Sequence, residues 1–430
     1  MRTRLTVTAS IVFALTASGP VAGRDAAPPQ TAPATAEVSQ PALQSLLESW
    51  VSSGKVPGAV TAIGRGDAPP VFISAGMISA DPGAPKAGPD SLWRIYSMTK
   101  PITATAAMIL VQEGKIGLDQ PISDFIPAFR TMRVVDSPET SLASHPATHP
   151  ITVRNLLTHT SGLGYQILGN GPVPKEYARL GLLGGRVDAE ASKAQPQSLA
   201  EFANRLATVP LLAEPGTQWH YSVSLDVLGR VIEVASGMPF DRFVEARVLK
   251  PLGMTSTYWT VPQSEAGRLA TSYGWQGTQR FVVETGKASL WLTPPLAPYG
   301  GSGLVSSARD YDRFLRMLAN QGSVDGVQVL KPETARLALS NLLPEGVHIV
   351  ENVTPATTPA QGFGAGGSLY LADVPNGVSA GTYGWFGAAG TIAFIDPKQR
   401  LRVTLMVNYF PMKQWPLYND LVGQLYSKTK

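Results

Sequence analysis

Leu43, Leu46, Leu47 and Trp50 recur at the spacing of one helix face, with Ser39 placed to cap the segment and Gly54 placed to end it. Val60-Thr61-Ala62-Ile63 and Val71-Phe72-Ile73 predict two short strands around a Gly-Asp-Ala-Pro-Pro turn, the signal of a hairpin with a loop. Far along the chain, Ser368–Leu371, Thr391–Ile395 and Arg402–Val407 predict three more strands. Between the two strand groups, from about Thr99 to Pro359, helical spacing and Pro/Gly-rich loops dominate, and no repeat of fixed period occurs. Strands at both ends with helices between predict an α+β fold: an antiparallel sheet with flanking helices, built from about 41–98 and 360–430, and a helical region of about 99–359 inserted into it.

Length and composition narrow the class. At 430 residues, 44% hydrophobic and 15% charged, the chain is globular and large enough for two packed lobes. Its net charge of +4 is spread without a Lys/Arg block, which argues against a nucleic-acid partner. The absence of cysteine rules out disulfides, thiolate metal sites and a cysteine nucleophile. Residues 1–23 have the layout of a secretory signal: Arg2 and Arg4, an apolar stretch from Leu5 to Ala17, and a small-residue cleavage site at Val21-Ala22-Gly23. The apolar stretch is too short and too interrupted by Thr and Ser to span a membrane, so a secreted or periplasmic protein without a membrane span is expected. Residues 24–40, rich in Ala, Pro and Thr, read as an extended linker ahead of a domain covering 41–430.

Ser-x-x-Lys occurs at Ser52/Lys55, Ser97/Lys100 and Ser427/Lys430, so context must choose among them. The first straddles a helix end and the last lies at the C-terminus. Ser97 instead follows the apolar Leu92–Tyr96 approach and opens a helix whose first turn holds Pro101. Unpaired amides there favour negative charge, and Lys100, one turn on, returns to the same face as a proton acceptor if it is buried. On this pattern alone, a helix cap and a surface cation explain the two residues equally well. Tyr221, at the end of the turn-rich Glu214–Ser222 approach to another helix, is a candidate second proton-transfer group, although a lone tyrosine is more often a packed core residue. His159 reads as a polar loop residue making backbone bonds. The five histidines show no metal-ligand spacing, so neither metal nor cofactor is implied. Gly377-Val378-Ser379-Ala380-Gly381 matches a nucleophile elbow, but no histidine follows it, and Ser379 reads as a loop residue.

Taken together, Ser97-Met98-Thr99-Lys100, Pro215-Gly216 leading to Tyr221-Ser222, Leu156–Leu163 and Gly301–Ser307 resemble the serine β-lactamase superfamily over about residues 40–425. The resemblance is narrower to its class C-like branch, with the penicillin-binding DD-peptidases and family VIII carboxylesterases, and implies a β-lactamase/transpeptidase-like fold. It implies Ser97 as acylated nucleophile, Lys100 as its base and Tyr221 as proton shuttle. It also implies an oxyanion hole from the backbone N–H groups of Ser97 and Ala388, with Trp385, Phe386, Gly387 and Val223 at the substrate. Where the family's third motif carries Lys-Thr-Gly, this chain has Trp385-Phe386-Gly387, and where its second motif carries asparagine, this chain has Val223. Trp385 offers one N–H and no charge, and Val223 offers no hydrogen bond. Both changes favour a small neutral ester over a carboxylate-bearing amide, as in family VIII esterases. A β-lactamase, a DD-peptidase, an acyltransferase and a silent binding protein of the same fold remain the rivals, and the sequence leaves the oligomeric state open.

Overall fold

Helix α1 (Gln40–Ser52) begins at Ser39, but the Ser39 hydroxyl makes no capping bond; a proline in the first turn sets the helical φ instead. Its predicted apolar face is buried, with Leu43, Leu47 and Trp50 fully enclosed, each worth about 2–3 kcal/mol of burial. Strands β1 (Gly58–Arg65) and β2 (Val71–Gly76) form the predicted hairpin, with Val60 opposite Ser74 and Ile63 opposite Val71. This computed structural model describes residues 39–186, 190–349 and 361–427; the predicted leader and all but the end of the 24–40 linker lie outside them.

The other end of the chain supplies β3 (Gln361–Phe363), β4 (Ser368–Tyr370), β5 (Tyr383–Phe386), β6 (Ile392–Asp396) and β7 (Leu401–Met406). The seven strands pair in the order β3-β4-β5-β6-β7-β1-β2, all antiparallel. The β7–β1 ladder, with Val403 opposite Ile63 and Met406 opposite Val60, stitches the two ends of the domain together. Strand β5 escapes the sequence pattern because Gly384 interrupts it; the glycine is required, since a Cβ there would meet the Phe394 backbone.

The inserted region supplies α2 (Thr99–Gln112), α3 (Val153–Thr158), α4 (Ser224–Ser236) and α5 (Ala308–Ala319), and α6 (Leu417–Tyr426) closes the described chain. Helices cover both faces of the sheet, so β1 and β7 are buried almost throughout. Ala59, Ile63, Val403 and Leu405 pack with α1 and α6, whereas Val60, Ala62 and Met406 face the helical region with Phe314 of α5. Arg402 of β7, fully buried, donates through Nε to Asp312 of α5 at 2.8 Å and through Nη2 to the Ala68 carbonyl at 2.6 Å, pinning that helix to the sheet. The Ser307 hydroxyl caps α5 by accepting from the Asp310 N–H, and the Asp310 carboxylate accepts from the Ser256 N–H and the Thr257 hydroxyl.

The 99–359 region is not purely helical. Strands Ser272–Gln276 and Gln279–Glu284 form a hairpin whose first strand runs parallel to Tyr409–Phe410, carrying the sheet-forming end of the chain into the inserted region. Helix α2 is buried on every side from Thr99 to Leu110, which makes it the central helix on which the site is built.

Candidate active site

The chain enters the site along Trp93–Arg94, paired with Val305–Ser306, then makes a single tight turn at Tyr96–Met98 before α2. Tyr96 has φ 42°, a conformation that is rare for an aromatic residue and must be held by its surroundings. Edge contacts to Trp291 at 5.9 Å and Phe410 at 5.6 Å hold it, and burial pushes its phenol up to about 12. Ser97 follows in that turn rather than at the first residue of the helix.

One turn on, Lys100 has no exposed surface. A buried polar side chain is costly unless it is hydrogen-bonded. Here Nζ donates to Ser97 Oγ at 3.2 Å and to the Gly301 carbonyl at 2.8 Å, and lies 4.6 Å from the centre of the Tyr221 ring. From the approach to α4, the Tyr221 hydroxyl donates to the same Oγ at 2.7 Å. Lys100, three residues on, and Tyr221, remote in sequence, thus converge on the Ser97 oxygen, an arrangement fit to move a proton on and off it.

The third-motif segment lies beside them. Trp385, at the end of β5, packs its ring 5.6 Å from that of Tyr221 and 5.2 Å from that of Phe363, and Phe386 stacks on it at 4.6 Å. Trp385 is 4% exposed and its indole N–H has no hydrogen-bond partner among the described residues, so it forms the apolar wall behind Tyr221. Gly387 sits against the turn before Ser97, where a Cβ would collide with the Ile95 carbonyl oxygen. Ala388, the next residue, is exposed.

Val223 is the correction. Its side chain is fully buried in the helical core, where its nearest neighbours include Gly184, and its N–H is bonded to the Gly164 carbonyl. Val223 immediately precedes α4, which begins at Ser224, and its buried side chain offers substrate no surface. Ser379 lies in the β4–β5 connection with its N–H on Asp396.

Asp226 went unread in the sequence. Buried on α4, it accepts from the Gly301 N–H at 2.8 Å through Oδ1, so one residue, Gly301, bridges it to Lys100 through its N–H and its carbonyl, and Oδ2 has no partner among the described residues. Desolvation pushes its carboxyl up to about 7 although the Lys100 charge opposes this. A carboxylate inside the apolar Leu225–Leu228 run was the available signal.

The raised carboxyl gives a pH prediction. Between about pH 4 and 7 the folded chain keeps a proton at Asp226 that the unfolded chain has lost, so stability falls as pH rises through that window and levels off above about 7. Asp226→Asn, which keeps the acceptor for Gly301, is expected to flatten this part of the profile by up to a few kcal/mol, read from denaturant midpoints at pH 5 and pH 8. An unchanged difference between those midpoints would assign the slope to another group.

A family model described as Beta-lactamase matches residues 40–426. The chain belongs to that family. It is 33% identical over 386 residues to Protein Rv1367c of Mycobacterium tuberculosis, covering 86% of this chain and 90% of the relative. It is 32% identical over 387 residues to esterase EstB of Burkholderia gladioli, covering 85% and 89%. Among solved structures it is similar to EstCE1, described as a hydrolase with promiscuous acyltransferase activity, with TM-score 0.75 and 26% identity over 91% of this chain and all of that one. These relatives make the chain a serine hydrolase of the β-lactamase fold, near the family VIII carboxylesterases.

Proposed function

We propose that this chain is a secreted carboxylesterase that acts on neutral, short-chain esters through an acyl-enzyme on Ser97. The observation that carries the reading is the Ser97 Oγ held between Lys100 Nζ at 3.2 Å and the Tyr221 hydroxyl at 2.7 Å, with the uncharged Trp385 beside them. Ser97 Oγ attacks the ester carbonyl carbon, and its proton passes to Lys100. The resulting oxyanion is met by the backbone N–H groups of Ser97 and Ala388. Collapse breaks the bond to the alcohol oxygen, which leaves with a proton delivered through Tyr221. Water, giving its proton back through the same pair, then attacks the acyl carbon and releases the acid and free Ser97.

Trp385 favours esters because a cation for a substrate carboxylate is missing where the family places it, and an ester's leaving group asks less of the acid than an amide's. The esterase relative supports the same class. Secretion is proposed on the signal-like residues 1–23 alone. Transfer of the acyl group to an alcohol acceptor is the second reading, favoured by the activity ascribed to EstCE1; it shares every step up to the acyl-enzyme.

The test is a comparison of the mature protein, Ser97→Ala and Trp385→Lys on p-nitrophenyl acetate, p-nitrophenyl butyrate and a chromogenic cephalosporin scored for ring opening. Ser97-dependent ester turnover with little ring opening is expected, and Trp385→Lys is expected to lose ester turnover or gain affinity for the cephalosporin. Ring opening that dominates in the native protein would make it a β-lactamase. A Trp385→Lys profile identical to the native one would leave Trp385 as packing only. Adding an alcohol and analysing products separates transfer from hydrolysis.

A further inference from the structure

Helix α3 ends at Thr158, and the next residue, His159, turns the chain with φ 58° and ψ 31° while its side chain is fully buried. Its carbonyl accepts from the His220 N–H at 2.9 Å, and its Nδ1 accepts from the Ser222 N–H at 3.2 Å. One residue therefore grips the backbone on both sides of Tyr221. The imidazole also lies 4.7 Å from the Tyr221 ring and 5.4 Å from that of Phe363, which closes the opposite side. Beyond Nδ1 the Ser222 hydroxyl, at 2.9 Å, continues to Ser224 at 2.7 Å and from there to Ser161 at 2.8 Å, tying the α3 end to the start of α4 through a buried polar chain.

Tyr221 needs such a support. It precedes α4, so no helical hydrogen bond fixes it, yet its hydroxyl must stay within hydrogen-bond reach of Ser97 Oγ. A misplacement of about 1 Å at a reacting group is enough to cost ~100-fold in rate. We infer that His159 is the positioning residue that holds the Tyr221 hydroxyl on Ser97, by clamping the peptide on either side of it and backing its ring. This rests on the role given to Tyr221 above.

Only a neutral imidazole does this. With both ring nitrogens protonated, Nδ1 could no longer accept from Ser222. Burial, reinforced by the nearby Lys100 charge, holds His159 well below the usual imidazole range, so the acceptor persists. The Ser222 N–H on Nδ1 then leaves the ring proton on Nε2.

The experiment is a double-mutant cycle between His159 and Tyr221, with kcat and KM on p-nitrophenyl butyrate and melting temperature measured for each variant. His159→Ala is expected to lower kcat at least ~10-fold with KM within about twofold. His159→Asn, whose carbonyl oxygen occupies the place of Nδ1 and which tolerates the left-handed backbone, is expected to restore most of that loss. In a Tyr221→Phe background, with its hydroxyl already gone, His159→Ala is expected to cost less than about twofold. Equal losses in both backgrounds, a loss carried by KM, or no rescue by Asn in a variant that melts like the native protein would overturn the inference. If Tyr221→Phe alone turns over normally, the role of Tyr221 falls and this inference with it, whereas a slow Tyr221→Phe beside a normal His159→Ala sinks this inference only.

Discussion

Ser97→Ala is expected to abolish covalent labelling by a serine-directed phosphonate and to lower ester turnover at least about 10⁴-fold. The size follows from what is removed. With alanine at 97 no oxygen remains for an acyl-enzyme, so Lys100 and Tyr221 lose their common partner and only binding and the oxyanion amides still act. The substitution deletes a single oxygen from a residue that is 9% exposed and carries no fold-defining bond beyond those two, so the melting temperature should change little. Mass spectrometry of the native protein should find one adduct, on the peptide carrying Ser97. Labelling of the peptide with Ser379, or turnover within tenfold of native in the variant, would defeat the assignment.

What the sequence could say about this site depended on whether local spacing or tertiary placement decides each residue. Ser97 and Lys100 were legible because three residues of helix put them on one face wherever the helix goes. The hairpin of β1 and β2 was legible for the same reason, and so was the closure of the sheet from both ends, since five strand patterns bracketed a long helical stretch. Tyr221 needed the family's motif, because nothing in its own neighbourhood sets it 2.7 Å from Ser97.

The rest turned on placement. Only the family's motif puts Val223 at the substrate, and its burial in the helical core is set by tertiary packing that no local pattern shows. Tyr96 gave no hint of its left-handed backbone, because that conformation is imposed by Trp291 and Phe410, which arrive from remote parts of the chain. Asp226 is visible as a charge within an apolar run, but its bridge to Lys100 runs through the N–H and the carbonyl of Gly301, which only the fold delivers.

The same placement explains how the site handles charge. Lys100 and Asp226 are both enclosed, bridged by the backbone of one residue, Gly301, and flanked by the buried phenols of Tyr165 and Tyr299, which the Asp226 charge pushes further above their usual range after burial itself. The neighbourhood therefore disfavours negative charge at Asp226 and at the phenols, which leaves Ser97 Oγ, with two donors aimed at it, as the place where an anion is best received.

Lys100→Met should then lower kcat by ~100-fold or more, the scale of lost general acid–base catalysis, while leaving the fold intact because the helix around it is apolar and methionine fills similar space. Lys100→Arg separates the two things a lysine can do here. Arginine keeps the positive charge over the Tyr221 ring and can still donate to the Gly301 carbonyl, but it stays protonated at any working pH and cannot take the Ser97 proton. If the charge alone mattered, Lys100→Arg would retain turnover and Lys100→Met would not. If proton transfer matters, both are slow, and both still show native melting and weak, slow labelling by the phosphonate. The second pattern is expected, since Nζ lies directly against Oγ at 3.2 Å and Tyr221 is the other side chain among the described residues bonded to that oxygen. Turnover within threefold of native in Lys100→Met would take the lysine out of the mechanism and leave Tyr221 as the sole base.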